Sequence, residues 1–408
     1  MVLRTTSFVV LLLACPAFAA AATCLVNAQG TGDYPNIGAA MAAAEDGDVI
    51  ELADGVYTGT GNRDLDFEGK AIVIRSQSAD PTACVIDCDG SPGDPHRAFE
   101  FMLGEDETSV VEGLTIRGGF AWKGGGLIAY NASPGIVNCI FEDNGADQEG
   151  GGIYGYLCGS SISGCTFARN TSPSGGGIYL YQCFGMQISS GTFSGNAATS
   201  GSALYCQSSS PTIAHTICVF GTDGEAIGGD QGANPVLTCC DVYGNAGGDW
   251  VGRIADQAGI NGNFSADPLA CAPEDGDFSL GSDSPCAAAN NPGCGLIGAW
   301  PVGCGAADVP DPDLPHRGLT LRECRPNPGR VPITIRFAYA TGGPLGVGIF
   351  DAAGRRVRSF ILPGGAEGTG EITWDGADER GRRLPAGAYL IRLQRGSISV
   401  TRRLLFLP

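Results

Sequence analysis

Residues that could handle a sugar acid are gathered in one part of this 408-residue chain. Asp143, Asp147 and Glu149 share one short stretch, with Lys123 upstream and Arg169 downstream. Carboxylates so grouped can hold calcium against a uronate, while a Lys or Arg takes the C5 proton in an elimination. The plainer reading is that acids in turn-rich segments are solvated. A glycoside hydrolase needs two or three clustered carboxylates, and no Asp-Asp, Asn-Thr-Asp or Gly-His-Gly run occurs. His96, His215 and His316 are the only histidines, and neither His96 nor His215 sits in a recognisable Ser-His-Asp context. "CVIDC" at Cys84 to Cys88 and the Cys239, Cys240 pair do not match a four-ligand zinc pattern. No cofactor is expected, calcium being the one that an elimination would call for. Tyr154, Tyr156, Tyr179 and Tyr181 are the candidate binding residues, because exposed aromatic rings stack on sugars. If the rings are buried they only extend a core, so exposure of two on one face separates a glycan-binding surface from a scaffold.

The elements that must position these residues repeat. Glycine triplets fall at 124–126, 150–152 and 175–177, with a degenerate Ser200, Gly201, Ser202 after them. Phe141, Phe167 and Phe193 keep step with the glycines, as do Asn144, Asn170 and Asn196. A period of this length marks stacked supersecondary units. Within each unit, short alternating apolar runs are broken by Gly, Ser and Asn, which indicates strands and turns. Two-residue hairpin signals are absent, so each strand pairs with the next unit, and coils stacked about 4.8 Å apart give a parallel β-helix. The phenylalanines are expected to form an inward column, with Cys139 and Cys165 sharing their face by the period of two. The asparagines are expected in the following turn, where Asn tolerates a left-handed backbone and its amide can bond the coils on either side.

Residues 1–22 carry Arg4, an apolar "FVVLLLA" and a small-residue "AFAAAA", the form of a secretory signal cleaved after Ala22, or alternatively after Ala19. The rival is a lipoprotein signal ending at Cys15. No later segment is apolar for the roughly 18 residues that a membrane helix needs. Of 17 cysteines, Cys15 lies in the signal, and an exported chain with the other 16 reads as oxidised. Cys84 with Cys88, Cys286 with Cys294, Cys294 with Cys304, and Cys158 with Cys183 one coil above it are the candidate pairs, with connectivity open. Charge divides the chain: residues 23–307 hold 8 Lys and Arg against 33 Asp and Glu, whereas 319–408 hold 14 Arg against 7 acids. So acidic a solenoid is a poor partner for nucleic acid or anionic membrane, and a polyanionic glycan would need calcium to screen it.

Along the chain, Asn36 to Glu45 reads as a short helix capped by Asn36, placed to cover the first coil. This opening resembles the start of pectin-lyase-like right-handed β-helix proteins. The glycine-rich units are similar to repeats of bacterial polymorphic outer-membrane proteins, and "DFSL", "SPC" and "IGAW" between 265 and 300 resemble a closing coil. A Pro-rich linker follows at 306–318. From 319 to 408, six or seven alternating strands indicate a β-sandwich, with Trp374 plugging its core and Tyr389, Ile391 and Leu393 facing inward. "PNP", "IFDAAGRRVR", "WDGADERGRRLPAGAYLIRL" and "TRRLLFL" are similar to the immunoglobulin-like domain of flagellar hook-capping proteins and to the C-terminal sorting modules of Bacteroidetes-type secreted proteins. The expected fold is all-β, a right-handed parallel β-helix at 23–305 and an immunoglobulin-like sandwich at 319–408. The resemblance implies a bacterial protein, secreted or held at the outer-membrane surface. A noncatalytic solenoid presenting a face to polysaccharide or a cell-surface protein is the leading expectation, and a calcium-assisted polysaccharide lyase or a glycoside hydrolase is the alternative.

Overall fold

The computed structural model describes residues 21–304, 319–325, 332–339, 345–351, 355–362, 368–385, 387–395 and 398–406. The segment read as a signal, up to its last two residues, and the linker at 306–318 lie outside them. The chain divides into two compact units, Met1–Asp308 and Val309–Pro408.

Short parallel strands wind the first unit into three sheets of nine, eight and seven strands. Each coil contributes one strand to each sheet, as Gly135–Val137, Ile140–Glu142 and Ile153–Tyr156 do in turn. The register is in line, so residues of one type stack. Phe141 pairs with Phe167 and Phe167 with Phe193. Their rings lie parallel in the core, with centroids 5.0 and 4.7 Å apart. A second column runs Ile136, Ile162, Ile188, Ile213 and Leu237 on the facing sheet. Cys139 and Cys165 share the inward face as expected, and both are buried.

The glycine triplet divides its labour. Gly150 takes a left-handed φ of 69°, while a Cβ on Gly152 would lie 2.6 Å from the Gly177 carbonyl oxygen and 3.1 Å from the Phe167 ring. The third glycine therefore seats the aromatic column against the backbone. The asparagines form a buried ladder: Asn170 accepts from the backbone N–H of Asn144 at 3.1 Å and donates to the carbonyl of Phe141 at 2.8 Å. Asn196 repeats the pattern one coil on, donating to the Phe167 carbonyl at 2.8 Å. The left-handed positions are not the asparagines but the residues before them, Asp143, Arg169 and Gly195. That backbone reversal turns the next side chain inward, where its amide meets the neighbouring coils.

Helix Ile37–Ala43 closes the first coil. Asn36 accepts from the Ala39 N–H at 2.8 Å, and Ile37, Ala40 and Met41 are buried. At the other end, "DFSL" is a strand of a small sheet, but "IGAW" does not finish the stack. It runs back across the outside of three coils: Gly298 donates to the His215 carbonyl at 2.8 Å, Ala299 to Thr192 Oγ1 at 2.9 Å and the Trp300 indole to Thr166 Oγ1 at 2.7 Å. Disulfides Cys239–Cys294 and Cys271–Cys304 hold this closing segment. These pairings replace those expected between Cys286, Cys294 and Cys304. Cys84 and Cys88 are both thiols. Four residues of extended strand separate Cα atoms by about 13 Å, beyond the roughly 7 Å that a disulfide spans.

Asp241 belongs to the outer column that this strap covers, with Thr192 and Ile217. It is fully buried, accepting from the Ala266 N–H at 3.0 Å and facing Cys286 Sγ at 3.3 Å. Burial, opposed by those two contacts and reinforced by Asp249 and Asp267, pushes its carboxyl up to about 7. An unfolded Asp titrates near about 3.9, so between that pH and about 7 the folded state holds the extra proton. Its contribution to stability is therefore complete in acid and lost as pH rises through 7. We expect the unfolding free energy of the wild type, minus that of Asp241→Asn, to fall between pH 4 and 7.5 in urea titrations and then level; a flat difference contradicts the assignment.

The second unit is a small β-sandwich-like module of two antiparallel sheets, one of three and one of four strands. Trp374 is fully buried, packing edge-on against Tyr389 and at a tilt against Phe406. Tyr389, Ile391 and Leu393 face inward with it, while Leu390 and Arg392 are exposed. Among the described residues no helix is long and apolar enough to cross a membrane.

Candidate functional site

The seven-stranded sheet carries the tyrosines. Ile153 and Gly155 point inward, so Tyr154 and Tyr156 point out, and the in-line register stacks them on Tyr179 and Tyr181. The two outward columns have different fates. Tyr154, Tyr179 and Tyr205 stack at 5.7 and 5.3 Å, but Tyr154 and Tyr179 are only 4% and 3% exposed. Lys123 Nζ sits 4.8 Å from the Tyr154 ring centroid, itself bound to Glu149 at 2.6 Å, and Tyr179 donates to Gln207 Oε1. The paired strands Phe120–Lys123 and Gly145–Glu149 supply that cover. Tyr154 and Tyr179, expected as binding residues, therefore have no ring face free for a sugar.

The second column stays at the surface. Tyr156 and Tyr181 are half-buried, and Tyr130, one coil earlier, is 43% exposed. Tyr130 and Tyr156 stack at 4.5 Å and 23°, whereas Tyr156 and Tyr181 are 5.1 Å apart at 58°. Ring faces are largely taken up within the column, so it offers solvent its edges and phenol groups, with part of a face opening where Tyr181 tilts. Partial burial, and then the phenols of Tyr130 and Tyr181, raise the Tyr156 pKa above the ordinary tyrosine value. It is neutral at pH 7, both donor and acceptor. Leu157 and Phe184 extend the exposed apolar surface on the same two turns. Tyr130 was missed in the sequence, although it stands four residues after Gly126 as Tyr156 does after Gly152 and Tyr181 after Gly177.

Of the acids and bases that suggested an elimination, Lys123, Glu149, Asp143 and Arg169 pair off instead of converging, and Asp147 is exposed on the strand between Asp143 and Glu149. Lys123 binds Glu149, and although burial works to lower its pKa, Glu149 and Tyr154 outweigh this and raise it, so it is no neutral base. Arg169 is held by Asp143 at 3.0 Å and by Glu142 at 2.8 Å, and the Asp143 hydrogen bond chiefly raises its pKa. Asp143 and Glu149 flank opposite ends of the strand Gly145–Glu149. Among the described residues, no three His, Cys, Asp or Glu side chains are grouped so as to hold a metal ion.

A cleft beside the capping helix, with several charged residues on its rim, went unseen in the sequence. It encloses about 480 Å³ and is lined by Met41, Arg63, Asp64, Asp66, Glu68 and His96 among others. His96 Nδ1 lies 2.6 Å from Asp64 and its Nε2 lies 3.3 Å from Asp94. Both ring nitrogens therefore face carboxylates, and the arrangement differs from a Ser-His-Asp triad, in which one ring nitrogen faces the nucleophile.

Comparison with protein families agrees with this architecture. A family model for the right handed beta helix region matches residues 101–265, and one for the FlgD Ig-like domain matches residues 331–397. No curated protein matches the chain. The chain thus combines a right-handed parallel β-helix with a C-terminal β-sandwich-like module that matches the FlgD Ig-like domain.

Proposed function

We propose that the protein is a secreted or surface-displayed, noncatalytic binding protein whose β-helix takes a neutral polysaccharide along the Tyr130, Tyr156, Tyr181 column. The β-helix and Ig-like architecture is consistent with a surface protein. The C-terminal module serves export or attachment in this reading. The observation that carries the glycan assignment is the tyrosine column at the surface, with one phenol per coil at ring separations of 4.5 and 5.1 Å. A sugar chain lying parallel to the helix axis would meet one tyrosine edge per coil, with hydroxyls on both sides to exchange hydrogen bonds. The excess of 33 acids over 8 bases in residues 23–307 favours an uncharged chain over a uronate polymer.

The test is retention of the purified protein on a panel of immobilised neutral and uronic polysaccharides, with and without calcium, while absorbance follows unsaturated sugar ends. Retention on a neutral glycan without unsaturated ends is expected. Tyr156→Ala should weaken that retention about two- to tenfold, since an aromatic contact contributes about 0.5–1.5 kcal/mol. Its thermal midpoint should stay within a few degrees, because the ring lies outside the core. Unsaturated ends, or retention unchanged by the substitution, would overturn the reading.

A further inference from the structure

Immediately beyond the tyrosine column, each coil makes the same turn. Leu157 and Gln182 take left-handed backbones, and the next residue, Cys158 or Cys183, turns back into the protein. The two cysteines stand in one column, since Tyr156 and Tyr181 two residues before them are in register. Both are buried, and their Sγ atoms are 2.7 Å apart. The Cys158 N–H also points at Cys183 Sγ, at 3.4 Å. Ser209 occupies the corresponding place one coil on, where its hydroxyl accepts from the Cys183 N–H at 2.9 Å.

The other stacked thiol pair behaves differently. Cys139 Sγ lies 3.2 Å from the Val137 carbonyl and 3.6 Å from that of Val111, and Cys165 Sγ lies 3.4 Å from Ser163 and 3.5 Å from Ile136. Each of those thiols has carbonyls to donate to. Cys183 Sγ lies 3.5 Å from the Tyr181 carbonyl, whereas among the described residues the only polar partner of Cys158 Sγ is the sulfur of Cys183. Adjacent coils sit about 4.8 Å apart, inside the Cα window of about 4.4–6.8 Å for a disulfide, and the sulfurs need to close only about 0.7 Å to reach a bond of about 2.0 Å.

We propose that Cys158 and Cys183 form a third disulfide, a staple between the two coils that carry Tyr156 and Tyr181. The step is thiol–disulfide exchange with an external disulfide, such as oxidised glutathione or a disulfide-carrying oxidase. One cysteine thiolate attacks the external disulfide, forming a mixed disulfide and releasing one external thiol. The second cysteine thiolate then attacks the protein sulfur of that bond and releases the other. Two protein thiols are oxidised to one S–S bond, and the external disulfide is reduced to two thiols with both protons accounted for. Because both sulfurs are buried in the finished turn, the exchange takes place while the coils are closing. The assignment rests on thiol geometry and is independent of what the tyrosine column binds.

The full chain is unfolded in reductant, refolded in a glutathione redox couple, alkylated in denaturant without reduction, and mapped by peptide fragmentation. Cys239–Cys294 and Cys271–Cys304 serve as internal standards. The expected result is a linked Cys158–Cys183 peptide, with neither residue alkylated in more than a minor share of molecules. In Cys158→Ser, Cys183 should become fully alkylated, while Cys139→Ser should leave the link intact. Alkylation of Cys158 and Cys183 in most molecules that retain both standards would overturn the proposal, and so would a link from either to another cysteine.

Discussion

Phe167→Ala is expected to destabilise the β-helix by about 3–5 kcal/mol, read as a fall in the urea midpoint of its unfolding transition. Phe167 is fully buried, with Phe141 on one face at 5.0 Å and Phe193 on the other at 4.7 Å. Its edge lies against the backbone of Gly152, where even a Cβ would come within 3.1 Å of the ring. The hole left by alanine cannot close by collapse, because the coils above and below are held apart by strand hydrogen bonds at a fixed spacing. The loss therefore includes the cavity as well as the transfer of the ring. Phe167→Leu, which refills much of the volume, should cost less than half as much. Equal losses for the two variants would mean that the column does not pack as described.

The second large effect is expected at Asn170, where alanine should cost about 2–5 kcal/mol. Its Oδ1 accepts from the Asn144 N–H and side-chain amide at 3.1 and 3.0 Å, and its Nδ2 donates to the Phe141 carbonyl and to Asn196 Oδ1 at 2.8 and 3.0 Å. Truncation strands the Asn144 N–H and the Phe141 carbonyl in a site with no water access, and each unsatisfied buried group costs about 1–3 kcal/mol. Asn170→Asp should be no better, because it removes the donors and buries a charge. Hydrogen exchange gives an independent check: the Asn144 amide should lose protection in Asn170→Ala while amides near Ile50 and Ile74 keep theirs. A loss below about 0.5 kcal/mol would show that the ladder is dispensable.

How much of this was legible in the sequence follows from what a repeat can and cannot encode. A period fixes columns, so the phenylalanine stack, the asparagine ladder and the inward Cys139 and Cys165 could all be read from spacing. The same logic would have given Tyr130, whose position after its glycine triplet equals that of Tyr156. Which residue of a turn takes the left-handed backbone was not legible, because Asp143 and Asn144 are both competent and only the coil above decides which side chain must point inward. The burial of Tyr154 and Tyr179 depends on an ion pair, Lys123 with Glu149, folded over the outer face. Alternation predicts that a side chain leaves the core, not whether another segment covers it. The disulfides and the return of residues 298–300 over Thr166 and Thr192 are long-range for the same reason, since their partners lie outside the repeat.

Hydroxyl-radical footprinting of the protein, with and without the neutral glycan that retains it best, tests the central claim most directly. The account predicts that bound glycan protects Tyr130, Tyr156 and Tyr181, while Trp122, which is exposed on the strand Phe120–Lys123, and His96 in the cleft are oxidised as in the free protein. Protection of the cleft with the tyrosine column left reactive would contradict it.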